Sequence, residues 1–128
     1  MRRKGWFDDL ARETREFGEP YNRDGERINA AAWLALYQTP DYQQVAQTRV
    51  PRGITEVLVS TVWLGVDEGF RPVPLIFETM VFSGGFPLDR VSWRYASEEE
   101  ARAGHADVVS RVQALVDVET RWTIPPER

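Results

Sequence analysis

His105 is the single histidine of this chain, and Glu78 is the one charge inside the run Leu75-Ile-Phe-Glu-Thr-Met-Val-Phe82. An imidazole and a carboxyl that reach one cavity form a general acid/base pair. His105 falls on an apolar helical stripe, however, where a lone inward histidine is more often a core residue whose nitrogens are satisfied by neighbours. Glu78 needs a partner, because an unpaired buried carboxylate is costly: an arginine, His105, a hydroxyl or a bound proton would serve. Ser60 and Thr61 lie opposite it if their runs form a hairpin. A register slip of one residue would exchange which of Thr61, Trp63, Glu78 and Thr79 share a face. Trp93, Arg94 and Tyr95 combine stacking with anion binding, but strand alternation puts Trp93 and Tyr95 on one face and Arg94 on the other. Asp67, Glu68 and Arg71 read as solvated loop charges, without the dense oxygens of a calcium loop. The candidate ligand-binding residues are therefore Thr61, Trp63, Asp67, Glu78, Trp93, Tyr95 and His105, with none assigned as catalytic.

The remaining composition narrows the chemistry. No cysteine occurs in 128 residues, so thiolate nucleophiles, disulfides and thiolate metal sites are excluded, which fits a reducing cytoplasm. With one histidine, a zinc site would need three further oxygen ligands, a set zinc rarely accepts, and no metal or cofactor is expected. There is no phosphate-binding glycine loop and no nucleophile elbow; Ser83-Gly84-Gly85 is a turn signal. Sixteen basic against twenty acidic side chains give a formal charge of −4, with no basic stripe, so nucleic acid is not expected as the main partner. No apolar run approaches the roughly 20 residues of a membrane span, and none is expected to enter a membrane. Lys4 is the one lysine among those bases, the rest being arginine, a bias that a GC-rich genome explains before anion binding does.

The elements that must position these residues form three parts. Residues 1–20 alternate charges around Trp6, Leu10 and Phe17, spaced for a short amphipathic helix or an extension that orders against the body or a second copy. Residues 21–117 form one domain. In it, Asp24-Gly25 marks a turn, Asn29 can cap a helix over 30–38 that carries Trp33, Leu36 and Tyr37, and Pro40 stops that helix. Runs at 45–50, 56–66, 75–82 and 91–96 are β-branched and aromatic, with connections too short for crossover helices. They predict an antiparallel meander of about four strands, in which the second and third are apolar on both faces and so covered on both sides. Ser97-Glu-Glu-Glu100 is a capping box, and Ala101, His105, Val108, Val112 and Leu115 give the following helix one inward stripe. Gly104 costs about 1 kcal/mol relative to alanine in a helix interior, which suggests close approach of a strand or ligand. Residues 118–128 read as an extended tail whose Trp122 can dock on the body. The fold class is α+β, an antiparallel sheet under a C-terminal helix with a short N-terminal helical region.

Val59-Ser-Thr-Val-Trp-Leu-Gly-Val-Asp67, Pro74-Leu-Ile-Phe-Glu-Thr-Met-Val-Phe82 and Arg94-Tyr-Ala-Ser-Glu-Glu-Glu-Ala101 with Gly104-His105 resemble a small family of uncharacterised proteins in bacteriophages and actinobacteria. The resemblance runs from Tyr21 to about Asp117. It implies a phage or actinobacterial origin and carries no activity. Relatives often place a histidine where this chain has Glu68, so any pairing of that histidine with His105 is broken here. Together these features point to a non-enzymatic accessory protein that binds a host protein or small ligand, one version being capture of a nucleotide signal in counter-defence. The rivals are a small enzyme using Glu78 and His105, and an oligomeric structural component in which an edge strand or the N-terminal region meets a second copy.

Overall fold

The computed structural model describes residues 18–69 and 71–123. The expected helix around Trp6, Leu10 and Phe17 lies outside these residues. The described chain is α+β. Helix α1 (Ala30–Tyr37) and the single turn α2 (Pro40–Gln43) precede strands β1 (Gln44–Arg52), β2 (Thr55–Trp63), β3 (Phe77–Phe82) and β4 (Ser92–Tyr95), and α3 (Glu98–Thr123) closes the fold. The four strands form one antiparallel meander in the order β1-β2-β3-β4.

Local sequence sets each boundary. The Asn29 side chain accepts the Ala32 amide at 2.8 Å and caps α1, and Pro40 opens the next turn. Strand β2 ends at Trp63 rather than continuing to Val66, because Gly65 takes a positive φ of 79° and turns the chain, while the Leu64 and Gly65 amides both donate to the Ile76 carbonyl. No side chain fits there, since a Cβ on Gly65 would lie 2.5 Å from the Trp63 ring and 2.7 Å from that of Trp33. The Ser97 hydroxyl accepts the Glu100 amide at 3.2 Å and starts α3; the returning Glu100 carboxylate takes the Ala96 amide at 3.4 Å.

Alternation then decides what is buried. Val57, Val59, Thr61 and Trp63 of β2 are buried, as are Phe77, Thr79 and Val81 of β3, and α3 lies on that face with Ala101, His105, Val108, Val112 and Val116 against it. Burying a valine contributes about 1.5 kcal/mol or more. The exposed pairs Glu98–Arg102 and Asp107–Arg111, each 3.0 Å, contribute only about 0.3–0.5 kcal/mol each. The stripe therefore holds the helix. Trp33 and Leu36 of α1 and Tyr42 of α2 pack on the same side, around Val45, Trp63, Ile76, Phe77 and Ala101. Cover on both sides of β2 and β3 was expected; the described elements cover one.

The expected extended tail is corrected for residues 118–123, which continue α3. Val116 is still buried, and one turn later Arg52 grips the Glu119 carboxylate through Nε at 2.9 Å and Nη2 at 2.6 Å, so the helix keeps contact with the body to its last turns. Trp122 does not dock, being 84% exposed.

Gly104 is explained by close approach, as a Cβ there would come 2.2–2.4 Å from the outer atoms of the Tyr95 ring. Gly104→Ala would gain about 1 kcal/mol of helix propensity. Overpacking against a ring held between strand and helix costs about 1–3 kcal/mol, so the net effect is destabilising. Urea denaturation should show this loss, and Tyr95→Ala in the same chain should restore the helix benefit of the alanine.

Candidate functional site

The β2–β3 register pairs Thr61 with Thr79 and Val62 with Glu78, and β1 brings Ala46 opposite Thr61. Thr61 and Thr79 therefore point at α3, where His105 arrives one turn after Ala101. The imidazole is bracketed: the Thr61 hydroxyl lies 2.7 Å from Nδ1 and the Thr48 hydroxyl 2.8 Å from Nε2, while Thr61 and Thr79 share a 2.5 Å hydrogen bond. A neutral imidazole donates from one nitrogen and accepts at the other, and each hydroxyl can do either. The chain Thr79–Thr61–His105–Thr48 is thus satisfied atom by atom, and among the described residues no buried side-chain N or O lacks a partner. Burial pushes the His105 pKa down from its ordinary value, and the Arg102 charge adds to this. The residue is a neutral core histidine with both nitrogens committed, and neither is left for a substrate proton.

Glu78 lies on the opposite face of the sheet. Its carboxylate accepts from Arg94 Nε at 3.1 Å, the partner that β4 supplies directly across the ladder. The sheet separates it from His105, and the acid/base pair is not formed. Trp63 is fully buried, donates from Nε1 to the Tyr21 carbonyl at 3.0 Å and stacks edge-on with Tyr42 at 5.0 Å. Trp93 packs against the core cluster that includes Val59, Val81 and Val112, and Tyr95 packs against the one around Trp63 and Phe77. They share the α3 side, as alternation requires, but as packing residues rather than as a platform for a planar ligand.

Asp67 corrects the reading of a solvated loop charge: it is 3% exposed. Its carboxylate accepts from the Gly69 amide at 2.8 Å, the Leu75 amide at 2.9 Å and Arg71 Nη1 at 2.7 Å. Burial alone would raise its pKa, but these donors outweigh it and hold the carboxyl below its usual range. Asp67 is thus the staple of the β2–β3 loop; Glu68 is exposed. Among the described residues no three His, Asp or Glu side chains gather to hold a metal ion, and no described helix is long and apolar enough to cross a membrane.

The structure thus joins Thr61 to His105, sets Trp63 and Tyr95 in one core, and leaves Glu78 and Asp67 apart from both. Sequence reasoning missed Thr48 and Arg94 as the partners of His105 and Glu78, since only the register pairs them. It also missed the second sheet face as a surface. There, Leu58 stands across from Phe82, Ser60 from Met80 and Val62 from Glu78. Polar pairs flank this centre, with Gln47 Nε2 donating to Ser60 Oγ at 2.7 Å, Arg49 paired with Glu56, and Arg94 with Glu78. Phe82 is 41% exposed, whereas Leu58, Val62 and Met80 are half-buried. No family model, curated protein or solved structure matches this chain.

Thr61→Val would strand one imidazole nitrogen and the Thr79 hydroxyl in the core, at a cost of about 1–3 kcal/mol. Thr48→Val should cost less, because Thr48 is only half-buried and water can take its place; chemical denaturation of both variants checks the order. The depressed His105 pKa also has a sign. The unfolded imidazole takes up its proton near pH 6.5 and the folded one only at lower pH, so stability is full above that point and falls as pH drops towards the folded value. Over that window the slope should approach the order of 1 kcal/mol per pH unit, and it should be absent from His105→Asn.

Proposed function

We propose that this chain is a non-enzymatic accessory protein, of the phage or actinobacterial kind its sequence resembles, that binds a protein partner through the second face of its sheet. The observation that carries this reading is the division of labour between the two faces. On the α3 side, the only histidine is tied to two threonines and the aromatic candidates are core, which among the described residues leaves no set of nucleophile, base and electrophile. On the other side, Leu58, Val62, Met80 and Phe82 form an apolar centre bordered by paired charges, a layout that suits a docked protein element with an apolar middle and a polar rim. A nucleotide is supported less well. Trp93 and Tyr95, the residues that would stack on a base, pack against the core, and Arg94 is engaged with Glu78 on the opposite face.

The test is capture of partners from an actinobacterial lysate by the tagged full-length chain, compared with Val62→Glu and with Arg111→Glu on the outer face of α3. A charge at the centre of the docking face should weaken the specific partner by about 2 kcal/mol or more, roughly thirtyfold, and Arg111→Glu should leave capture unchanged. Equal capture by both variants, or retention of a nucleotide in place of a protein, would overturn the reading.

A further inference from the structure

Among the described residues, every position with a positive φ is a glycine except Arg90, at φ 63°. In that region the Cβ of an L residue crowds the following carbonyl oxygen, a cost that glycine escapes and that asparagine or aspartate tolerates better than a long side chain. The hydrogen bonds show why the chain bends there. Beyond Met80 and Ser92, the last ladder pair of β3 and β4, the Arg90 amide donates to the Val81 carbonyl at 2.7 Å and the Val81 amide to the Val91 carbonyl at 3.3 Å. The Val91 amide closes a turn onto the Leu88 carbonyl at 2.9 Å. Two residues, Arg90 and Val91, thus oppose one, Val81. The arrangement is a β-bulge with a left-handed first residue, the position that glycine ordinarily fills. Gly85 meets a φ of 76° in the same connection in that ordinary way. The fold requires the bend at position 90, but not the arginine.

Nor does the side chain of Arg90 support the fold. It is exposed, and among the described residues its guanidinium has no hydrogen bond, ion pair or ring contact. The adjoining Asp89 carboxylate is directed to the Ser83 amide, from which it accepts at 2.8 Å. Arg121 is the other described arginine without a carboxylate partner, and its place in the last turn of α3 lets it complement the helix dipole. Arg90 has no such use. A strained backbone that carries a long, unengaged side chain points to a use outside the fold.

The surroundings of Arg90 define that use. Phe82, next to Val81, is exposed and stands across from Leu58 on the second sheet face, and Val91 is exposed as well. The bulge therefore sets a free cation beside two exposed apolar side chains at one corner of the sheet. The charges that border the apolar centre of that face cancel in pairs, Arg49 with Glu56 and Arg94 with Glu78. A carboxylate arriving at Arg90 gains a charge-assisted hydrogen bond without opening an internal ion pair. We infer that Arg90 is the anion-reading residue of the docking face, and that the protein partner presents an Asp or Glu side chain to it beside the apolar residues that cover Phe82 and Val91. The role rests on the docking face proposed above and gives its occupant a chemistry, an acidic and apolar segment rather than a basic one.

The probe is a randomised peptide library selected against the immobilised full-length chain. Apolar peptides that carry Asp or Glu should be recovered, and Arg90→Gly should bind them about tenfold more weakly, as expected for one lost hydrogen bond between charged groups. The same substitution should raise the urea midpoint, because glycine relieves the backbone. Weaker binding by a more stable protein separates a binding role from a structural one. Arg90→Asn, which also tolerates the left-handed conformation, should lose as much binding, and Arg121→Ala should lose none. Recovery of no peptides, of peptides without a carboxylate, or of peptides that bind Arg90→Gly equally well would overturn the inference. Concentration-dependent self-association of Arg90→Gly would overturn it too, assigning the arginine to guarding the sheet edge. The two readings fail separately: peptides sensitive to Val62→Glu but not to Arg90→Gly sink the role of Arg90 alone, whereas peptides sensitive to Arg90→Gly but not to Val62→Glu sink the docking face alone.

Discussion

The apolar stripe of α3, laid across one face of a four-stranded sheet, is the constraint on which the rest of the molecule depends. Strand alternation offers two faces, and the buried valines of α3 close only the one that carries Val57, Val59, Thr61 and Trp63. Every chemical group on that face is then committed to packing. His105 arrives on the same stripe as Val108 and Val112, and a polar ring in that position is tolerable only because β1, β2 and β3 each bring a threonine into the chain that runs through it. The histidine that is the most reactive-looking residue in the sequence thereby has both ring nitrogens occupied in the fold.

The same constraint sorts the charges. Arg94 and Glu78 pair across the ladder on the face away from α3, where a half-buried ion pair has water at hand. Arg23 joins Glu98 at 2.7 Å and also bonds the Tyr42 carbonyl, tying the turn before α1 to the first turn of α3. Arg52 does likewise at the far end through Glu119. These bidentate or multiply bonded arginines sit where helix ends meet loops. They secure the rim of a core that the valines hold together, which gives these arginines a structural use beyond base composition.

How much was legible follows from which signals are local. The capping boundary at Ser97, the Asn29 cap, the stripe of α3 and the four β-branched runs are written in adjacent residues, and the meander followed from connections too short for crossovers. The glycine at 104 was legible as close approach, though not as contact with Tyr95. Register was not legible. Thr61 meets Thr79 and Glu78 meets Arg94 only because the ladder falls as it does, and a shift of one residue would have paired Glu78 with the core. Asp67 was misread for a related reason: beside Arg71, its partners are backbone amides up to eight residues away, and amides leave no trace in a sequence.

Two-sided strands that the described elements cover on one side leave a physical question that the sequence already posed. A sheet face with Leu58, Val62, Met80 and Phe82 at its centre loses apolar burial for as long as nothing lies on it, and the paired charges around it screen only the rim. Replacing that centre with polar residues would remove the exposed area at little cost to the α3 side, since alternate residues belong to alternate faces. The run Phe77-Glu-Thr-Met-Val-Phe82 does the opposite, putting Glu78 at the one position where Arg94 can answer it and keeping methionine and phenylalanine at the next two outward positions. Methionine adapts its shape to what it meets. A face built in this way is shaped for contact with another apolar surface.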